Sequence, residues 1–164
     1  MERLSQEINQ SCHLSVIYQN QLMIIAQSKS MTPVSLSVEV GGLFPLLKTN
    51  SGRVVLSHMN KEESDRILAE CKEYNQMNQS EKGALLEELR ALKKVDCSVR
   101  KSELTDGVTD FSSPILGNNS SVPAVLAVST LTSQMRKTVS HNTIKKELIK
   151  SVLEIRKSLG VENL

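Results

Sequence analysis

The sequence has 164 residues, of which 39% are hydrophobic and only 2% are aromatic. This length can bury one sizeable core, which must be aliphatic because the chain has no Trp, two Tyr and two Phe. The net charge is only +2, the basic residues are dispersed and aromatic side chains are scarce, so the composition argues against a nucleic-acid-binding domain.

The three cysteines, Cys12, Cys71 and Cys97, have neither the spacing of metal ligands nor that of a redox pair. We interpret them as buried thiols in a reducing compartment. No apolar run approaches the roughly 18 residues of a membrane span, and the N-terminus lacks the hydrophobic segment of a secretion signal. We therefore expect a cytoplasmic protein without a metal ion or cofactor.

The first forty residues are predicted to form a short helix followed by strands. Residues 1–10 are predicted to be helical, and residues 12–18 and 22–28 to form a hairpin. Residues 34–40 show the most regular alternation in the sequence, with Val and Leu on one face and Ser and Glu on the other. This pattern predicts a third, half-buried strand.

A glycine-rich turn then leads into a helical region. Gly41, Gly42 and Pro45 favour a change of chain direction, and residues 49–51 (Thr-Asn-Ser) are all good helix N-caps. Apolar residues then recur at helical spacing in three segments. The predicted helices cover residues 50–59, 62–74 and 80–94, the last of them capped by Ser80.

Strand patterns return in the second half of the chain. The predicted strands cover residues 95–99, 108–116 and 122–131, with a hairpin turn at 117–121 and a final helix at 140–159 that Ser140 or Asn142 can cap and Gly160 ends. The strand at 122–131 is the most apolar and should be central. Because hairpins dominate and helices are segregated, the order predicts an α+β class with an antiparallel sheet of about six strands.

No catalytic arrangement is visible in the sequence. The histidines, His13, His58 and His141, form no motif with a nucleophile, and no phosphate loop, serine elbow or zinc motif is present. His13 is expected to face solvent, because it lies on the side of its strand opposite Cys12 and Leu14.

A small-molecule pocket is better supported than catalysis. The start of the helix at 50–52 presents backbone N–H groups in an anion-binding geometry, although most such helix starts are purely structural. Two further polar features are the loop at 100–110 and the Ser129-Thr130 pair at the end of the apolar strand. If the strands form one sheet, these three features could converge over an apolar floor.

Several short motifs follow one another along the whole chain. They are Gly41, Pro45-Leu46, Thr49 to Arg53, Val55-Leu56, Glu103, Gly107-Val108, Ser112 to Leu116, Ala127-Val128-Ser129 and Ser158-Leu159-Gly160. In order and spacing they resemble the effector-binding domain of IclR-family bacterial transcriptional regulators. The resemblance implies a GAF-like or profilin-like fold and a function in transcription regulation without enzymatic activity.

The resemblance also implies how the chain is organised and what it binds. It implies one effector-binding domain over residues 1–164, with a linker-type helix (1–10), strands (11–40), helices (50–94), strands (95–131) and a C-terminal helix (140–160). The implied partners are a small effector such as an organic acid and further copies of the chain, in a homodimer or homotetramer. DNA would be bound only by an N-terminal winged helix-turn-helix domain absent from this chain, as in a repressor, and ligand would alter its operator affinity. No cofactor and no membrane contact are implied.

Ten residues are predicted to contact the effector, from the polar features and from their positions in the family pattern. They are Leu36, Val38, Asn50, Ser51, Gly52, Arg100, Glu103, Asp110, Ala127 and Ser129. Asp110 stands where the family commonly has Cys or another small residue, and Ala127 replaces a serine. An anion would be repelled by Asp110 unless Arg100 pairs with it. The alternative hypothesis is therefore a ligand-independent oligomerisation domain with a degenerate pocket.

Overall fold

A six-stranded antiparallel sheet forms the centre of the structure, a computed structural model that describes residues 1–32, 35–115, 123–135 and 139–160. The strands are β1 (Cys12–Tyr18), β2 (Gln21–Ser28), β3 (Leu43–Pro45), β4 (Ser98–Lys101), β5 (Val108–Ile115) and β6 (Ala124–Leu131). The helices are α1 (Glu2–Ile8), α2 (Asn50–His58), α3 (Lys61–Glu70), α4 (Lys72–Gln76), α5 (Gln79–Leu92), α6 (Thr132–Met135) and α7 (His141–Ser158). A 3-10 turn at Leu46–Lys48 precedes α2. The predicted α+β class is confirmed.

The strand order is β3-β2-β1-β6-β5-β4, so β6 is central, as its apolar sequence predicts. Along β6, Val125 and Ala127 belong to the core beneath α2, α3 and α5, whereas Leu126 and Val128 belong to the core beneath α1 and α7. Alternate residues of one strand therefore contribute to two cores on opposite faces of the sheet. This explains why the β6 sequence is apolar throughout instead of alternating.

Side-chain caps set the start of each major helix. Thr49 caps α2, Ser140 caps α7 as predicted, and Asn60 caps α3. The cap of α5 is Asn78 and not the predicted Ser80: Asn78 and Glu81 form a reciprocal capping box, which places the helix start at Gln79.

The helix predicted over residues 62–74 is divided in two. The backbone of Cys71 is extended, with φ −77° and ψ 119°, and separates α3 from α4. The Cys71 side chain is buried in the core beneath α2. The helix therefore breaks where this side chain packs into the core. The continuous apolar stripe of the sequence does not predict a break.

The predicted strand at 34–40 is wrong for the residues that the structure describes there, 35–40, which have no regular secondary structure. Gly41, with φ 86°, donates its N–H to the Ile24 carbonyl, and the Ile24 N–H bonds to the Gly42 carbonyl. These bonds satisfy the edge of β2 at Ile24, and the preceding residues of β2 pair with β3. The alternation of residues 36–39 reflects burial against a cavity instead of strand pairing. The predicted turn at 117–121 lies outside the described residues.

Candidate ligand-binding site

A cavity of about 440 Å³ lies between the sheet, the start of α2, the segment 36–39 and the loop after β4. Most of its wall is apolar. The apolar lining residues are Leu22, Ile24, Leu36, Val38, Leu43, Phe44, Leu104, Val108 and Ala127, together with Gly42. The polar lining residues are His13, Ser37, Glu39, Thr49, Asn50, Ser51, Ser102, Thr105, Asp110 and Ser129. A mainly apolar wall into which polar side chains are set is typical of a small-molecule site.

Strand pairing explains how distant residues meet on the cavity floor. In one row across the sheet, His13 of β1 pairs with Ala127 of β6, and Ala127 pairs with Ser112 of β5. In the next row, Ser129 pairs with Asp110. The small side chain of Ala127 lies between these larger polar neighbours, so it leaves space in the middle of the floor.

The start of α2 is held tightly against the turn before it. Thr49 Oγ1 accepts a hydrogen bond from the Gly52 N–H at 3.1 Å and donates one to the Leu46 carbonyl at 3.2 Å. A Cβ atom on Gly52 would lie 2.0 Å from that carbonyl oxygen. Gly52 is therefore required by close backbone packing, and it does not line the cavity.

Asn50 and Ser51 line the cavity, but their side chains are bonded to the protein. The Asn50 amide nitrogen lies 3.2 Å from the carbonyls of Ser98 and Asp110 and 3.1 Å from Ser112 Oγ, and its oxygen accepts from Ser98 Oγ at 2.7 Å. Ser51 Oγ lies 3.0 Å from Ser112 Oγ. These bonds position α2 on β4 and β5, and they leave few side-chain donors for a ligand.

Asp110 is the carboxyl group of the cavity floor. Ser129 Oγ donates to its Oδ1 at 2.6 Å, and the Ser102 hydroxyl also bonds to it. Burial raises the pKa of Asp110, and the two hydroxyls oppose that rise. The described lining of the cavity contains no Lys or Arg.

His13 is buried in the cavity wall, so the prediction that it faces solvent is wrong. Its residue is only 8% exposed, and burial lowers its pKa to about 4, which keeps the imidazole neutral at pH 7. Within the described part of the chain, no hydrogen-bond partner contacts the ring. The prediction assumed one solvated face on β1. The strand is instead covered on both faces where it begins, and no local sequence signal indicates this.

Arg100 and Glu103 lie outside the cavity lining and belong to an ion-pair network. Arg100 Nη1 lies 2.7 Å from a Glu88 oxygen, and its Nη2 pairs with Glu103. Arg53, with a side chain only 10% exposed, pairs with Glu88 at 2.5 Å and with Glu103 at 2.9 Å. No ion pair joins Arg100 to Asp110 among the described residues. Of the ten predicted residues, seven thus line one cavity; the exceptions are Gly52, Arg100 and Glu103.

The described ranges offer no metal site and no membrane-spanning helix. No group of three His, Cys, Asp or Glu residues there could hold a metal ion. None of the helices described is both long and apolar enough to cross a membrane. Cys12, Cys71 and Cys97 are free thiols and buried. Burial raises the pKa of Cys97 to about 11.

Comparison with known proteins identifies the family of this sequence. The sequence model for the C-terminal region of the bacterial transcriptional regulator IclR matches residues 1–157. Among curated proteins, no sequence match of significance was found.

Three solved structures illustrate the shared fold. An IclR transcriptional regulator from Silicibacter sp. TM1040 is 22% identical, with a TM-score of 0.80 over 97% of this chain and 63% of that chain. An IclR homologue from Microbacterium hydrocarbonoxydans, complexed with 4-hydroxybenzoate, is 18% identical, with a TM-score of 0.79 over 98% and 65%. HmgR from Pseudomonas aeruginosa is 21% identical, with a TM-score of 0.80 over 99% and 65%. The chain therefore spans less than two thirds of the length of these proteins.

Proposed function

Because the chain belongs to the IclR family of bacterial transcriptional regulators, as their C-terminal domain, we propose that it senses a small-molecule effector for an attached DNA-binding domain. The family consists of regulators of transcription and not of enzymes. We further propose that the domain works in the cytoplasm, as a homodimer or homotetramer, and that DNA is contacted by an N-terminal domain outside this sequence.

The observation that carries the proposal is the cavity of about 440 Å³ beside the start of α2. Its volume suits a small organic molecule, and its wall combines apolar side chains with polar ones, among them Asp110 and Ser129 on the floor. A homologue of the same fold is complexed with 4-hydroxybenzoate, a compound of suitable size. The effector contacts that we propose are Leu36, Val38, Asp110, Ala127 and Ser129, with Asn50 and Ser51 as neighbours that position α2.

A ligand in this cavity would touch three separate parts of the chain. These are the segment 36–39, the start of α2 and the loop at 102–105. Binding would order these parts relative to one another. A change in operator affinity then requires that the ligand bind two states of the regulator with different free energies.

The second candidate function is a ligand-independent oligomerisation domain. It is favoured by the commitment of Asn50 and Ser51 to internal hydrogen bonds and by the lack of a cation beside Asp110 in the described lining. In that case the cavity would be a remnant, and small molecules would not stabilise the protein.

A thermal-shift screen with small organic acids, alcohols and amines separates the two functions. Effector sensing predicts that at least one compound raises Tm by several degrees, since a ligand that binds only the folded state stabilises it. The L36W variant, which fills the cavity from the half-buried segment, should abolish the shift. The L153W variant, on the exposed face of α7, should retain it. Equal behaviour of the two variants would argue against the cavity as the site.

A further inference from the structure

The charged groups of the cavity are all of one sign. Two carboxyl groups line it, Asp110 on the floor and the exposed Glu39 at the side, and the described lining includes no Lys or Arg. His13, the remaining titratable group, is neutral at pH 7. Apart from His13, the ionisable groups of the described lining are therefore carboxyl groups only.

Arg100, the cross-strand partner of Asp110, and Arg53 are both engaged in other ion pairs. Arg53 bonds to Glu88, Glu103 and the Leu47 carbonyl, the last through Nε at 2.6 Å. Arg100 is bonded to the same two glutamates. Two arginines thus share two carboxylates, and this local balance of charge leaves Asp110 with hydroxyl partners only.

The start of α2 is partly occupied by protein groups. Its cap residue, Thr49, accepts from the Gly52 N–H through Oγ1. The side chains of Asn50 and Ser51 are bonded to Ser112. Asp110 is half-buried and has hydroxyl partners but no cation beside it in the described lining, whereas charges removed from water are usually paired.

His13 supplies a second, independent sign of a ligand. The residue is more than nine-tenths buried and lines the cavity, and its ring has no hydrogen-bond partner among the described residues. A neutral imidazole carries one donor and one acceptor, so a ligand in the cavity could bond to either nitrogen. His13 and Asp110 stand on β1 and β5, the two neighbours of β6, and are offset by two residues along the strands, so about 12 Å separates their backbones.

We propose that the effector is a small amine, cationic at neutral pH, whose ammonium group pairs with Asp110. Its apolar body lies over Ala127, and a polar group at its other end bonds to His13. This inference rests on the proposed effector-sensing function and names its ligand class. An organic acid is disfavoured because its carboxylate would be brought next to Asp110 with no cation between them.

Matched compounds that differ only in charge provide the test. Isothermal titration of the chain with 4-hydroxybenzylamine, 4-hydroxybenzyl alcohol and 4-hydroxybenzoate compares cation, neutral molecule and anion on one skeleton. A pentyl series of amine, alcohol and carboxylate repeats the comparison without the ring. In at least one series the amine should bind at least tenfold more tightly than the carboxylate.

Two variants test whether Asp110 causes the preference for the amine. D110N, which is isosteric and can still accept from Ser129, should weaken the amine at least tenfold and remove its advantage over the alcohol. E62Q, at an exposed position of α3 outside the cavity lining, should change amine affinity less than threefold. The Tm of each variant establishes that it remains folded.

Three results would overturn the proposal, and they differ in their consequences for effector sensing. Tighter binding of a carboxylate than of its amine, lost in the L36W variant, would refute the amine but support effector sensing. Failure of every compound in both series to bind would refute the amine and also count against effector sensing. Unchanged amine affinity in D110N would refute the role of Asp110.

Discussion

At the scale of single residues, His13 combines a titratable ring with almost complete burial. Its neutral form is stabilised by the fold, because burial penalises the charged form and lowers the pKa to about 4 from an ordinary value of 6.5. The unfolded chain therefore binds more protons than the folded chain between these two pH values. Stability must rise with pH across this window and fall as the pH is lowered through it.

We expect H13Q to reduce this pH dependence. Since one pKa unit is worth about 1.4 kcal/mol, His13 should remove about 3 kcal/mol from the free energy of unfolding between pH 7 and pH 4. Urea denaturation of H13Q at both pH values should show a smaller loss than the unmodified chain. His58, whose pKa burial also lowers, contributes to both proteins. H141Q, at an exposed position, is the control and should keep the full loss.

Position in the sequence predicts which residues meet at the cavity better than it predicts what each side chain does there. Asp110, Ala127 and Ser129 are predicted pocket residues, and they line the cavity. Asn50 was assigned there too, but its bonds run to Ser98 and Ser112, partners about 50 and 60 residues away in sequence. Bonds between such distant residues depend on tertiary packing and have no local signal.

At the scale of secondary-structure elements, Gly52 and Gly83 both lie inside helices, but one is tightly packed and the other is surrounded by open space. Gly52 lies in the first turn of α2, where a Cβ would be 2.0 Å from the Leu46 carbonyl oxygen and 2.7 Å from Thr49 Oγ1. Gly83 lies within α5, where a Cβ would meet nothing within 4 Å. The same substitution therefore tests packing at one site and helix propensity at the other.

We predict that G52A and G83A change stability in opposite directions. G52A should lower the free energy of unfolding by about 3 kcal/mol, because a backbone carbonyl cannot move aside without displacing the whole turn. G83A should raise it by about 0.5–1 kcal/mol, since alanine is the better helix former at an exposed position. Urea denaturation monitored by circular dichroism measures both. Similar effects at the two sites would contradict the close packing at α2.

Residue type alone predicts where two of the helices begin. Caps at Thr49 and Ser140 were foreseeable from residue type, and both bond to their helices. The alternation at 34–40 could not distinguish a paired strand from an extended segment against a cavity, because both bury every second side chain. The bonds of Ile24 with Gly41 and Gly42 decide between them, and these depend on how the turn folds back on β2.

At the scale of the whole molecule, hydrophobic pattern was enough to predict the class and the central strand, but not how the helices are tied to the sheet. The network of Arg53, Arg100, Glu88 and Glu103 joins α2, α5, β4 and the loop that follows β4. Charged residues on a predicted helix such as α5 are usually solvated, so no sequence pattern connects Glu88 with Arg53. The loop held by this network also lines the cavity through Ser102, Leu104 and Thr105.

We therefore expect R53K to affect both stability and the cavity wall. A lysine cannot donate at once to the Leu47 carbonyl, Glu88 and Glu103, so the variant should lose about 2 kcal/mol of unfolding free energy. Amide hydrogen exchange should also quicken at 102–105, because Glu103 loses one of its two arginine partners. R90K, in a pair whose side chains are both 71% exposed, should change neither by a measurable amount. If R53K left exchange at 102–105 unchanged, the network would contribute to stability without controlling the loop over the cavity.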